Sequence, residues 1–296
     1  MKKYLISILF SLNCLPLLAQ SFPAQLKVLT YNIKGLPPLA APGWNPERFA
    51  VIGHMLSERL ANGTGPDLVV LQEVFYKEAL AVVQSSGYPY TFQGPDRNGH
   101  DDVNGDYQRM FSSGTFVLSR FPILESGIIN YLKTDCATYD CHANKGLLYV
   151  KVRVPGLKEV VTVFDTHMQS GEEFDQERIR QLVTLSSFVK SHSSDQGVMI
   201  FGGDFNSSPD QASFPLLKSA LMASDSGETC LAPMSQCVSE GDPSLIFAKS
   251  IDHVFFRNTQ ADVLIPVYAI RNFTELFKGQ PLSDHFGFEV GFQIGH

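Results

Sequence analysis

Eight short apolar runs punctuate this chain, and they limit what it can fold into. They are 26–32 (LKVLTYN), 67–73 (DLVVLQE), 115–119 (TFVLS), 147–154 (LLYVKVRV), 160–166 (VVTVFDT), 198–204 (VMIFGGD), 251–256 (IDHVFF) and 286–292 (FGFEVGF). Each has strand length and reads as a buried strand. Helical spacing appears between some of them: Phe49, Ile52, Leu56 and Leu60 share one face, as do Ile179, Leu182, Leu185 and Val189. Strands interleaved with a few helices predict an α/β protein. With 296 residues, 44% hydrophobic, and no linker or repeat, a single domain is expected.

The polar residues beside these runs carry the chemistry. The sixth run ends in GGDFN, where alternation puts Asp204 and Asn206 on one side. Paired glycines allow another group to approach the backbone closely. Asn32 ends the first run and Glu73 the second; His167 follows the fifth. Asp252 opens the seventh, and Asp284 and His285 stand just before the last. Any one of these is an ordinary strand-end residue; six such places in one chain read as a site on the rim of a rigid sheet.

These residue types suit hydrolysis of a phosphate ester. A phosphodiester is anionic and repels hydroxide, and a hard divalent cation with oxygen ligands such as Glu73 and Asp284 offsets that charge. A histidine titrating near neutrality can take a proton from water, and works better when a carboxylate orients its other nitrogen. His285 and Asp252 are the candidates for that pair. His167 is a candidate for stabilising charge on the phosphorus centre.

The N-terminus predicts export. Lys2 and Lys3 precede an apolar stretch from about Tyr4 to Ala19, too short and badly flanked to span a bilayer. Residues 1–20 are therefore expected to be a signal peptide, with 21–296 the catalytic domain, secreted or periplasmic. Losing two lysines and no acids takes the formal charge from −7 to −9, so no broad basic face for nucleic acid is expected. Cys136, Cys141, Cys230 and Cys237 remain. Three disulfide pairings are possible; Cys136–Cys141 and Cys230–Cys237 are favoured because each pair is close in sequence within a turn-rich segment. The alternative, a zinc site, lacks any Cys-x-x-Cys. Segments 93–113 and 222–246 read as long irregular loops.

The ordered set TYN, LQEV, DTH, GGDFN, IDHV and SDH resembles the endonuclease/exonuclease/phosphatase superfamily, also called deoxyribonuclease I-like, from about residue 26 to 292. The resemblance implies a four-layer α-β-β-α sandwich with two mixed, mostly antiparallel sheets. It also implies Mg2+, with Mn2+ or Co2+ as substitutes, and in-line attack of water. By matching motif, Glu73 is implied as the main metal ligand, with Asn32 beside metal and phosphate and Asp284 in support. His285 is the implied general base, oriented by Asp252. Asp204 and Asn206 position water and phosphate, and His167 either holds the phosphate opposite the base or helps the leaving group. Many members pair the residue at the His167 position with a glutamate from a preceding loop, and none is evident here.

Local sequence resembles neutral and bacterial sphingomyelinases: TYNIKGLPP, SSGTFVLSRFPILE and ANKGLLYVKV, the last implying that Lys145 reaches the phosphate. A monomer meeting a membrane phospholipid peripherally is then expected. Two features depart from the secreted bacterial enzymes. Lys77, Phe111 and Ser112 stand where an extra edge metal would need acids, and the C-terminal hairpin counterpart, 268–282, is short. There Phe273 and Phe277 either touch lipid or pack in the core. The rival readings are a secreted deoxyribonuclease-like nuclease, a phosphoinositide or glycerophospholipid hydrolase, and a non-catalytic binding protein on the same scaffold.

Overall fold

A computed structural model describes residues 25–98, 108–192, 196–233, 235–239 and 247–295. The expected signal segment and part of the first polar loop lie outside these residues. No helix among the described residues is long and apolar enough to cross a membrane.

The strands in chain order are β1 (Leu26–Asn32), β2 (Leu68–Gln72), β3 (Tyr90–Gln93), β4 (Phe116–Ser119), β5 (Ile123–Asn130), β6 (Gly146–Val152), β7 (Val161–His167) and β8 (Met199–Asp204). They continue with β9 (Ser224–Asp225), β10 (Val238–Ser239), β11 (Asp252–Arg257), β12 (Val263–Asn272), β13 (Leu276–Phe277), β14 (Gln280–Pro281) and β15 (Gly287–Gly295). The helices are α1 (Arg48–Ala61), α2 (Ala81–Ser85), α3 (Asp175–Ser191), α4 (Ser213–Leu221) and α5 (Ser226–Leu231). One sheet runs β10-β12-β15-β1-β2-β4-β3 and the other β5-β6-β7-β8-β11-β9, while β13 and β14 form a small ribbon. In the first sheet β1–β2 and β10–β12 are parallel; in the second only β7–β8 is. All other pairings are antiparallel, so both sheets are mixed and mostly antiparallel.

Alternation along the strands sorts the core into three layers. Val28, Leu68, Val70 and Val117 face Leu148, Val150, Val163, Ile200 and Val254 across the space between the sheets. On the far side of the first sheet, Leu29, Tyr31, Val69 and Leu71 pack on Phe49, Ile52 and Leu56 of α1. On the far side of the second, Phe164, Met199, Phe201 and Phe255 pack on Leu182, Leu185 and Val189 of α3 and Leu217 of α4. The result is the four-layer α-β-β-α sandwich. Strands covered on both faces explain why the runs read as apolar throughout.

All eight apolar runs are strands. Two long strands were not among them. β5 is the outer strand of its sheet with a half-exposed pattern, and β12 contains Pro266, beside which its register against β15 shifts. Phe273, left open between lipid and core, is buried with its ring stacked on Tyr31 at 4.7 Å. Phe277 packs partly against the same core cluster.

The first of the paired glycines serves sheet packing. A Cβ on Gly202 would lie 2.5 Å from Cγ2 of Val70 in the opposite sheet. Gly202 therefore sets how closely β8 and β2 approach beneath the site. Gly202→Ala is expected to cost about 1–3 kcal/mol by overpacking, read by urea unfolding. Adding Val70→Ala should return part of that loss, and equal stability of Gly202→Ala and wild type would contradict this role.

Candidate functional site

The strand ends meet at one edge of the sandwich. Asn32 ends β1, Glu73 follows β2, His167 ends β7, Asp204 ends β8 and Asp252 opens β11. β1 and β2 run parallel in register, with Asn32 opposite Gln72; β7 and β8 do likewise, with His167 opposite Asp204. Asp204 is in turn opposite Asp252. Register thus gathers His167, Asp204 and Asp252, up to 85 positions apart, at the edge of one sheet, and Asn32 beside Gln72 at the edge of the other.

Asn32 joins the two sheets here. Its buried Nδ2 donates to Oε1 of Glu73 at 3.1 Å and to Oδ2 of Asp204 at 2.9 Å, and its Oδ1 accepts from the Lys34 N–H at 2.9 Å. Glu73 and Asn206 hold left-handed backbones, φ 60° and 49°. Such conformations are sparse for residues with a Cβ and persist where the surroundings impose them. The loop after β1 passes close behind Glu73: a Cβ on Gly35 would lie 2.2 Å from the Glu73 carbonyl oxygen.

His285 is fixed from both directions. Its Nδ1 lies 2.7 Å from Oδ2 of Asp252, and its Nε2 points inward, 3.8 Å from Oδ2 of Asp204. Ser283 Oγ donates to the Asn32 carbonyl at 2.7 Å, tying this loop to β1. Arg48, buried at the start of α1, donates to the carbonyls of Ile33 and Leu282 at 2.6 Å each, stapling the same two loops. Asp284 is half exposed and forms an ion pair with Lys34.

The second histidine sits in a different environment. Lys145 Nζ donates to Oδ2 of Asp140 at 2.7 Å and to the Met168 carbonyl at 2.8 Å, and lies 3.2 Å from Nε2 of His167. Its three N–H donors are therefore all engaged. Since an ammonium cannot accept, His167 accepts at Nε2 and carries its proton on Nδ1. Nδ1 is buried and has no hydrogen-bond partner among the described residues. Asn206 Nδ2 donates to the same Met168 carbonyl at 3.2 Å.

Charge at the site is unevenly distributed. Burial pushes the pKa of His167 down to about 4, helped by the Lys145 ammonium, so the ring is neutral at pH 7. Burial also opposes charge on His285, but the Asp252, Asp204 and Asp284 carboxylates outweigh it and raise its pKa to about 10. Burial raises Glu73, despite the Asn32 hydrogen bond. Asp140 is desolvated too, yet Lys145 and His167 hold it down to about 2.

The donors fit a hard divalent cation. Of the acids Glu73, Asp204, Asp252 and Asp140, only Asp140 pairs with a lysine or arginine among the described residues, through Lys145; Glu73 and Asp204 share the Asn32 amide and Asp252 meets His285. Oδ1 of Asp252 is buried without a partner among the described residues. Ligand atoms of Asp204, Asp252 and His285 lie within 4.8 Å of one another, and Glu73 stands across the Asn32 amide from them. Oxygen-rich, partly uncompensated sites of this kind suit Mg2+ better than a softer metal.

Clefts open on both sides. A cavity of about 610 Å³ runs from Glu73 and His167 along Phe75, Phe111 and Asp140. A smaller one, about 260 Å³, lies beyond Asp252 and His285, bordered by Lys249, Arg271 and Phe286. Asp140 and Arg48 escaped the sequence reading. Asp140 lies in the turn-rich loop closed by the Cys136–Cys141 disulfide, and Arg48 reads as the start of an ordinary amphipathic helix. The spacing of Asp140 to the Asn-Lys-Gly segment was the available signal for the first.

Comparison with known proteins accords with this geometry. Over 212 residues the chain is 28% identical to "Sphingomyelinase C 2" of Leptospira interrogans, covering 65% of this chain and 32% of that protein. It is 26% identical over 280 residues to a "Sphingomyelinase" of Mycobacterium tuberculosis, covering 90% and 52%. The chain thus spans about a third to a half of the length of these curated relatives. The fold is shared with the beta toxin of Staphylococcus aureus, solved with bound magnesium ions, at a TM-score of 0.67 and 19% identity over 91% of this chain and all of that one. A model described as "Endonuclease/Exonuclease/phosphatase family" matches residues 29–285, and the chain belongs to that family.

Proposed function

We propose that this protein is a secreted, Mg2+-dependent phosphodiesterase of the sphingomyelinase, or phospholipase C, type, which hydrolyses sphingomyelin to ceramide and phosphocholine. The observation that carries the hydrolase reading is the Asn32 amide holding Glu73 and Asp204 together beside the inward Nε2 of His285. The sphingomyelinase relatives and the local sequence support the choice of substrate. Two disulfides, Cys136–Cys141 and Cys230–Cys237, suit an oxidising compartment and support export of residues 21–296 as the catalytic domain.

In this reading Glu73 and Asn32 hold the cation, with Asp204 near it and Asp284 adding negative charge at the margin. Bound there, the cation would neutralise phosphate oxygens and draw charge from the phosphorus centre. In its neutral form His285 takes the proton of the attacking water at Nε2, so the base is available only once the proton favoured by the Asp252, Asp204 and Asp284 carboxylates has left. Asp252 keeps the ring in the productive tautomer and stabilises the imidazolium that forms. Asp204 and the Asn206 amide orient water and phosphate. His167 faces the phosphate from the opposite side, kept neutral and in place by Lys145, which in turn is anchored by Asp140. Lys145 supplies positive charge from behind His167, or directly on exchanging one of its donors.

The chemistry is tested by releasing labelled headgroup from sphingomyelin, phosphatidylcholine and phosphoinositide, with plasmid DNA in parallel. Phosphocholine release from sphingomyelin with Mg2+, abolished by chelator, is the expected result. Nicked DNA with intact sphingomyelin would overturn the substrate in favour of a nuclease. His285→Ala should lose ~10²–10⁴-fold in turnover while its circular dichroism stays that of wild type.

Two pH effects follow from the electrostatics. The folded-state pKa of His285, about 10, lies above its usual 6.5. Without added metal, its ion pair therefore stabilises the fold fully below pH 6.5 and is lost as pH rises through 10. Urea unfolding of the metal-free wild type should weaken across that window, and His285→Gln should show a flatter profile. Lys145→Met removes a cation that holds His167 down. The His167 pKa should then rise above about 4, shifting its NMR titration upward together with a fall in turnover; an unmoved titration would contradict the coupling.

A further inference from the structure

Five large hydrophobic side chains among the described residues are more than 60% exposed: Leu39 at 99%, Tyr139 at 87%, Val183 at 67%, and Met110 and Leu276 at 66%. Val183 lies on α3 and Leu276 on the small ribbon. The other three gather at one place. Leu39 and Tyr139 border the large cleft that runs down to Glu73 and His167. Met110 borders the adjoining hollow with Arg97 and Arg109, and His142 lines both.

They come from three separate chain segments. Leu39 is in the loop after β1, Met110 precedes the bridge that Phe111 makes to Ala143, and Tyr139 is in the 3-10 turn Thr138–His142. The Cys136–Cys141 disulfide spans that turn, and the Arg109 guanidinium donates to the Cys141 carbonyl at 2.6 Å. The turn is thus braced from below, through Asp140 and the disulfide, while Tyr139 stands out from it into solvent. Exposed apolar groups scattered singly need no explanation, whereas a cluster round a cleft marks a contact surface.

We propose that Leu39, Met110 and Tyr139 form the rim that seats this protein on the outer surface of a zwitterionic phospholipid bilayer. The inference rests on the lipid hydrolase reading above, and it goes further by assigning the docking surface. The occupant is argued from position and charge. The rim opens onto the cleft that leads to the proposed phosphate position, so lipid held there is presented to Glu73 and His167. Leu39 and Met110 suit shallow burial at the acyl boundary. A tyrosine suits the headgroup level, where its ring is buried and its hydroxyl stays wet. Arg97 and Arg109 lie beside Met110, in a chain of net negative charge, where they match lipid phosphates. The β13–β14 ribbon does not compete for this role through Phe273, which is committed to the core.

The test is flotation with vesicles of sphingomyelin and phosphatidylcholine in chelator, so that binding is read without turnover. Wild type is expected to float. Leu39→Ser/Met110→Ser should bind at least tenfold more weakly, and Val183→Ser/Leu276→Ser, which removes similar exposed surface elsewhere, should stay within twofold of wild type. All four sites are solvent-exposed, and thermal melts of the variants check their folding. A rim variant that floats like wild type, a control variant that loses binding equally, or a wild type that does not float would each overturn the proposal. Phosphocholine release separates the two readings. Rim-dependent flotation without hydrolysis sinks the hydrolase and leaves the surface standing; hydrolysis with rim-independent flotation does the reverse.

Discussion

One side-chain amide holds the two halves of this molecule in register at the place that matters. The two hydrogens of Asn32 Nδ2 go to carboxylates of different sheets, Glu73 behind β2 and Asp204 at the end of β8. Two buried acids would otherwise repel, and neither has an ammonium or guanidinium within ion-pair distance among the described residues. A layer deeper, Gln72 donates from the first sheet to Asp165 of the second at 2.8 Å and pairs with Thr30. Burial raises the Asp165 pKa well above the usual carboxylate range, so this tie works through hydrogen bonding without placing another charge below the site. Gly202 against Val70 then sets the sheet spacing.

Electrostatics divides the two histidines by environment. His285 lies among carboxylates and favours its proton; His167 lies against an ammonium in a buried pocket and gives its proton up. The same residue type therefore faces a common space in two protonation states. A divalent cation at the carboxylates would shift the balance by competing with the His285 proton for negative charge. That links metal binding to release of the base.

Much of this was legible in the sequence because strands with both faces covered are apolar throughout and their ends are not. Asn32, Glu73, His167, Asp204 and Asp252 announce themselves by interrupting or ending such runs; within each sheet in-register pairing makes them neighbours, and the packing of the two sheets brings the two groups together. Both favoured cysteine pairs are joined, as expected from short loops. What escaped depends on distant parts of the chain. β5 and β12 are strands whose patterns are softened by exposure and by Pro266. Arg48 matters through carbonyls 15 and 234 residues away, and Asp140 through a lysine that only the folded loop brings to it. Asp284 shows the converse: its motif was plain, while its ion pair with Lys34 arises from the tertiary fold.

The central claim is that acids from two sheets converge to hold one hard cation beside His285. Anomalous diffraction from a crystal soaked in Mn2+ tests it most directly. A single strong peak within coordination distance of the Glu73 carboxylate, on the side facing His285 Nε2, is the predicted result. A peak elsewhere on the molecule, or none at saturating Mn2+, would contradict the account.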